Sequence, residues 1–211
     1  MLNQRNDVFF LFDPLAPFGA SCTKELDLKN HVLFRYARCR FPNMEEVFRK
    51  QSAKKETSWT ATTCIQHRIC YRHRSKKLLE APFCPNDFST EKVKQAEILK
   101  VCGGINLQLA QRVCLETPLV GAKVIRVCRV ADLKHLLLDS EIEWRFMWIV
   151  RDPRAIAASQ EHTKGDEEVD TCNHMAANIN YLNSPMARWL QGKLMIVRYE
   201  GNVTRYKLHF N

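Results

Sequence analysis

One stretch, Phe146-Met147-Trp148-Ile149-Val150-Arg151-Asp152-Pro153-Arg154-Ala155-Ile156-Ala157-Ala158-Ser159, restricts the fold more than any other part of the chain. Its five leading apolar residues lack amphipathic alternation, the pattern of a strand covered on both faces. Pro153 is tolerated in the first turn of a helix and not in its interior, so a helix starts there. Arg151 stands where the strand ends, and the Ser159 hydroxyl lies about two turns into the helix. A buried strand feeding a helix is a unit of a parallel α/β sheet, whose ligands bind beyond the carboxyl ends of the strands. The helix start adds unpaired N–H groups and a positive dipole end, and an arginine can fork onto phosphate oxygens. These residues point to an anion held by Arg151 and Ser159; the plainer reading is a surface turn with a salt-bridging arginine.

The rest of the chain extends the pattern. Val8–Phe12, Val124–Val130 and Leu194–Val197 are further apolar runs of β-branched and aromatic residues, so four parallel strands buried on both faces are expected. Helical patterns cover Met44–Lys54, Glu91–Val101, Ile105–Cys114, Asp132–Leu138 and Pro153–His162. Val169, Cys172, Ala176 and Ile179 form a stripe at spacing three and four, expected to face a core until Ser184-Pro185 breaks the helix. Between Cys22 and Cys102 the chain reads as irregular, an insertion on the α/β framework. With 211 residues and neither internal repeat nor low-complexity tract, residues 1–211 are expected to form one domain carrying a cysteine-rich insertion at about 22–102.

Nine cysteines are many for this length. Cys64, Cys70, Cys84, Cys102 and Cys114 lie close together, as in a disulfide-stapled secretory protein, although reduced cysteines also serve as small buried hydrophobes. The odd count leaves a thiol, for which Cys128 is the candidate. Asn202-Val203-Thr204 is a glycosylation acceptor triplet on Asn202 and suits the same compartment. Cys64, His67, Cys70 and His73 have a count suited to zinc, but disulfides with surface histidines are the expectation, and no metal is assigned. A net charge of +9 favours anionic partners. Arg68, Arg72, Arg74, Lys76 and Lys77 have only Tyr71 for base stacking and no nucleic-acid motif, so a solvated face or an acidic glycan contact is expected and nucleic acid is not. Val8–Phe12 is too short to span a bilayer, and no signal-peptide pattern precedes it.

The run VRDPRAIAAS resembles the 3′-phosphate-binding segment of sulfotransferases, the enzymes that use 3′-phosphoadenosine-5′-phosphosulfate (PAPS). RDPRA with its strand is most similar to the Golgi carbohydrate 6-O-sulfotransferases acting on galactose, N-acetylgalactosamine or N-acetylglucosamine. Further segments resemble that family in its order. Asn6–Leu15 is similar to its "PDVF-x-x-YEPL" strand, Val124–Arg129 to "VIK-x-x-R", Cys172-Asn173-His174-Met175 to the following helix, and Gly192–Glu200 to "G-x-Y-x-x-VRYEDL".

The resemblance implies an α/β fold of the P-loop nucleotide hydrolase type, a parallel sheet with flanking helices. It implies PAPS as donor, with Arg151 and Ser159 on the 3′-phosphate, and a glycan or proteoglycan as acceptor. Asp13 stands at the family's catalytic glutamate and is the candidate base, one methylene shorter; a plain turn is the alternative. Arg126 and Arg129 are candidate substrate contacts, an arginine standing at the family's lysine. The family's R-S-G-[ST]-[ST] loop for the 5′-phosphosulfate has no counterpart in these residues, so a fragment or a catalytically dead glycan- or nucleotide-binding relative is weighed beside the enzyme, with a basic zinc-binding module as a further rival. The implied location is the Golgi lumen, with membrane attachment only through an N-terminal anchor outside these 211 residues.

Overall fold

Two short parallel ladders organise the computed structural model, which describes residues 5–18, 24–44, 72, 75–85, 88, 95–138, 141–152, 154–156 and 168–199. The ladders belong to different compact units, Met1–Val127 and Cys128–Asn211. In the first unit β1 (Val8–Phe12) and β2 (Leu119–Lys123) pair in parallel from Val8↔Leu119 to Phe12↔Lys123. Parallel neighbours need a long crossover. It contains α1 (Leu26–Ala37), α2 (Gln95–Cys102) and α3 (Leu107–Glu116).

α1 lies within the stretch read from sequence as irregular, and it packs because Lys29, Val32, Leu33 and Tyr36 share one buried face at helical spacing. Its Tyr36 hydroxyl lies 3.0 Å from the Phe9 carbonyl and 2.6 Å from that of Gly121, touching both strands with one donor. The Phe41 ring lies 5.4 Å from Phe9 and 6.0 Å from Tyr36, closing the core around β1. Gly103 ends α2 in a left-handed conformation (φ 64°) that glycine adopts without penalty. Asn106 starts α3 by accepting a hydrogen bond from the Leu109 N–H at 3.0 Å, two residues after the start expected from sequence, and Leu107, Ala110 and Cys114 form its buried face. The buried Arg72 guanidinium donates to the carbonyls of Leu78 (3.0 Å) and Gly103 (2.7 Å).

Among the described residues two disulfides brace this unit. Cys39–Cys114 joins the residues after α1 to α3, and Cys84–Cys102 joins a loop to the end of α2. Three members of the dense cysteine stretch are therefore bonded, one of them to Cys39 outside it; Cys64 and Cys70 lie outside the described residues. Cys128 is also disulfide-bonded, so it is not the spare thiol. Cys172 is the free cysteine among the described residues.

In the second unit, 3-10 helix Val130–Leu133 runs into the short helix α4 (Lys134–Leu137). There follow β3 (Phe146–Val150), α5 (Glu168–Leu182), 3-10 helix Pro185–Leu190 and β4 (Leu194–Arg198). β3 and β4 pair in parallel from Phe146↔Leu194 to Val150↔Arg198. The buried Asn178 amide accepts from the Val130 N–H (2.9 Å) and donates to the Cys128 carbonyl (2.7 Å), fastening α5 to the chain before α4.

Several expectations are corrected. The second strand is Leu119–Lys123, not Val124–Val130. β1 has five residues, and its ladder ends where Asp13 N–H bonds the Lys123 carbonyl (2.7 Å) and Pro14 has no N–H to give, so residues 124–129 have no strand partner. The described strands form two separate pairs rather than one four-stranded array. Only β1 is deeply buried; Leu119, Met147, Ile149 and Met195 are between 39% and 53% exposed. The α5 stripe of Cys172, Ala176 and Ile179 faces outward, because Asn178 and Leu182 turn the other side inward. Of the helices expected at Met44–Lys54 and Pro153–His162, only Met44, the last residue of a helical turn at 41–44, and residues 154–156, also helical, are described.

Candidate functional site

The candidate residues divide between the two units. In the first, Asp13 follows β1 directly and takes a left-handed backbone conformation (φ 52°), which aspartate tolerates better than most residues. Its amide closes the β1–β2 ladder, and its carbonyl accepts from Ala16 at 3.0 Å, so the backbone is fixed on both sides. The carboxylate is ion-paired to Arg126, three residues past β2; the two side chains are 5% and 17% exposed. One oxygen, Oδ1, is buried without a hydrogen-bond partner among the described residues. Asp13 and Arg126, two candidates separated by more than half the chain, are thus brought together by the β1–β2 register.

In the second unit Arg129 forks onto Asp132, Nε at 3.1 Å and Nη2 at 2.8 Å, a local pair at the start of the following 3-10 helix. Arg151 stands one residue past β3, as the sequence indicated. The adjacent acid does not consume it. The Asp152 carboxylate accepts from the Arg154 backbone N–H (2.9 Å) and from its guanidinium (2.6 Å), and these bonds, helped by the charge of Arg198, hold Asp152 down at about 2. The Arg151 guanidinium lies over the Tyr199 ring, 4.9 Å from its centroid, and its Nε is buried without a hydrogen-bond partner among the described residues. A buried guanidinium N–H without an acceptor suits an oxyanion, and the residues present fit a phosphate there.

Ser159 and Asn202 lie outside the described residues, as do Cys64, His67, Cys70 and His73. Tyr199 was not singled out from sequence. No local sequence pattern marks it; the strand register brings it there, since Arg151 follows Val150, Tyr199 follows Arg198, and Val150 and Arg198 are partners.

No family model matches the chain, and no solved structure matches it. Curated proteins do. Carbohydrate sulfotransferase 1 of Danio rerio is 27% identical over 237 residues, covering 95% of this chain and 54% of that protein. Its Homo sapiens counterpart is 27% identical over 240 residues, with 95% and 55% covered. Carbohydrate sulfotransferase 3 of Tetronarce californica is 26% identical over 231 residues, with 94% and 49% covered. Over nearly its whole length the chain is similar to carbohydrate sulfotransferases. It spans about half the length of the curated relatives it matches. Arg151 at one strand's carboxyl end and Asp13 at another's are among the described residues with a buried donor or acceptor atom that has no hydrogen-bond partner. Among the described residues no helix is long and apolar enough to cross a membrane.

Proposed function

We propose that this protein binds PAPS, with Arg151 and Ser159 on its 3′-phosphate, and passes the sulfuryl group to a sugar hydroxyl of a glycan. The hydroxyl on carbon six of galactose, N-acetylglucosamine or N-acetylgalactosamine is the acceptor favoured by the family motif. The observation that carries the reading is the unsatisfied Arg151 Nε at the carboxyl end of β3, beside the turn of helix at 154–156. A phosphate oxygen there would meet a charged donor at a strand edge, the usual ligand position in parallel sheets.

In the transfer the acceptor oxygen forms a bond to sulfur while the bond from sulfur to the bridging phosphate oxygen breaks. The hydroxyl proton passes to a carboxylate, and adenosine 3′,5′-bisphosphate leaves. Asp13 is the proposed base through Oδ1, the oxygen with no partner, while Arg126 holds the carboxylate in place. Arg129 is proposed as an acceptor contact through the exposed half of its guanidinium. Disulfides in the chain accord with a luminal enzyme of the Golgi.

Calorimetric titration with adenosine 3′,5′-bisphosphate tests the nucleotide site. Arg151→Ala removes a charge-assisted contact of roughly 1.5–3 kcal/mol, a tenfold to hundredfold weaker Kd. Ser159→Ala removes a neutral donor, and a loss of roughly twofold to tenfold is expected. Unchanged affinity in both variants refutes the assignment. Sulfate transfer from labelled PAPS to galactose- and N-acetylglucosamine-terminated acceptors tests the reaction.

A further inference from the structure

We infer that Tyr199 is a positioning residue for Arg151: its ring is the platform on which the guanidinium is stacked so that its edge faces the anion. The inference rests on the phosphate reading of Arg151 above and adds to it a second side chain from a different strand.

The placement follows from register. β3 and β4 are parallel and in step to their last pair, Val150↔Arg198. The next residue on β4 continues the ladder by one more bond, from Tyr199 N–H to the Val150 carbonyl at 2.8 Å. That bond fixes the tyrosine backbone at the level where Arg151 leaves β3. The guanidinium carbon then lies 4.9 Å from the ring centroid, within the range of a cation–π contact. Tyr199 itself is 65% exposed, so little else in the structure holds or needs its ring.

The stack has a chemical consequence. An arginine side chain has many rotamers, and each one frozen on binding weakens the complex. Held over the ring by this cation–π contact, the guanidinium still has N–H groups that the oxygens of an anion can take. Among the described residues Arg151 forms no ion pair that would orient it instead, and the neighbouring acid is engaged by Arg154. The ring therefore prepares the cation for its anion without neutralising it.

The test uses the 211-residue chain and adenosine 3′,5′-bisphosphate as probe, with Kd measured by calorimetry for four variants. Tyr199→Phe keeps the ring and should bind within twofold of the unaltered protein. Tyr199→Leu keeps the backbone bond to Val150 but removes the platform, and should bind about threefold to tenfold more weakly. Arg151→Ala/Tyr199→Leu should be no weaker than Arg151→Ala by more than twofold, because a platform without its cation has nothing to orient. Additive losses in that double variant would show a direct or independent role for Tyr199 and overturn the inference, as would full affinity in Tyr199→Leu. If Arg151→Ala binds as well as the unaltered protein, or the unaltered protein does not bind, the phosphate assignment itself fails and takes this inference with it. Tyr199→Phe failing where Tyr199→Leu fails would assign the effect to the hydroxyl and equally overturn the stacking role.

Discussion

Replacing Arg126 by methionine leaves the Asp13 carboxylate without the cation that faces it, while most of the buried side-chain volume is kept. The carboxylate is 5% exposed and its Oδ1 already lacks a hydrogen-bond partner among the described residues, so the protein has little means of rehydrating the charge in place. Removing one member of a buried pair costs roughly 3–5 kcal/mol, because the remaining charge stays desolvated. With an m-value of about 2 kcal/mol/M in urea, the unfolding midpoint should fall by about 1.5–2.5 M. Asp13→Asn is a milder change. Asparagine suits the left-handed backbone at this position, and the Arg126 side chain is more exposed, at 17%, so a cost of about 1–2 kcal/mol is expected. The double variant Asp13→Asn/Arg126→Met buries no charge and should be more stable than Arg126→Met alone. Urea unfolding followed by helical circular dichroism gives all four stabilities. A loss below about 1 kcal/mol for Arg126→Met, or a double variant whose loss equals the sum of the singles, would refute the claim that Asp13 depends on Arg126.

Three further outcomes are expected. Replacing the cysteines of Cys39–Cys114, which closes a separation of 75 residues, should cost about 4.5 kcal/mol by the chain-entropy relation, against about 3 kcal/mol for the 18-residue separation of Cys84–Cys102; equal losses would contradict a chain-entropy origin. Burial pushes the Tyr36 phenol well above the ordinary tyrosine value of about 10, so its contribution is fully present below that pH and is lost as pH rises further, where the unfolded phenol ionises and the folded one does not. Stability should therefore fall above pH 10 by up to about 1.4 kcal/mol per pH unit more than in Tyr36→Phe, and parallel profiles for the two proteins would refute this. Arg72→Met should lower stability by about 2–4 kcal/mol in urea, because the carbonyls of Leu78 and Gly103 lose a buried donor, and a neutral result would show that water replaces it.

The parts of this protein that could be read from sequence are those encoded by neighbouring residues. β1, β3 and β4 are short runs whose apolar residues announce them, and Pro153 with Arg151 marks the strand end and the helix start beyond it. Gly103 marks the end of a helix through its own backbone preference. The motif order along the chain was enough to suggest the family. What depended on tertiary structure was everything set by a partner far away in the chain. β2 falls at Leu119–Lys123 rather than in the more apolar run after it, because β1 offers only five residues and ends at Asp13-Pro14. The same ladder brings Arg126 onto Asp13, a pairing that no local pattern contains. α5 turns Asn178 inward in place of its apolar stripe, since that amide satisfies two backbone groups at once. Tyr199 meets Arg151 only because two parallel strands end in step. Hydrophobic period and cap chemistry are properties of a few adjacent residues, whereas register is decided by where a strand's hydrogen-bonding partner runs out.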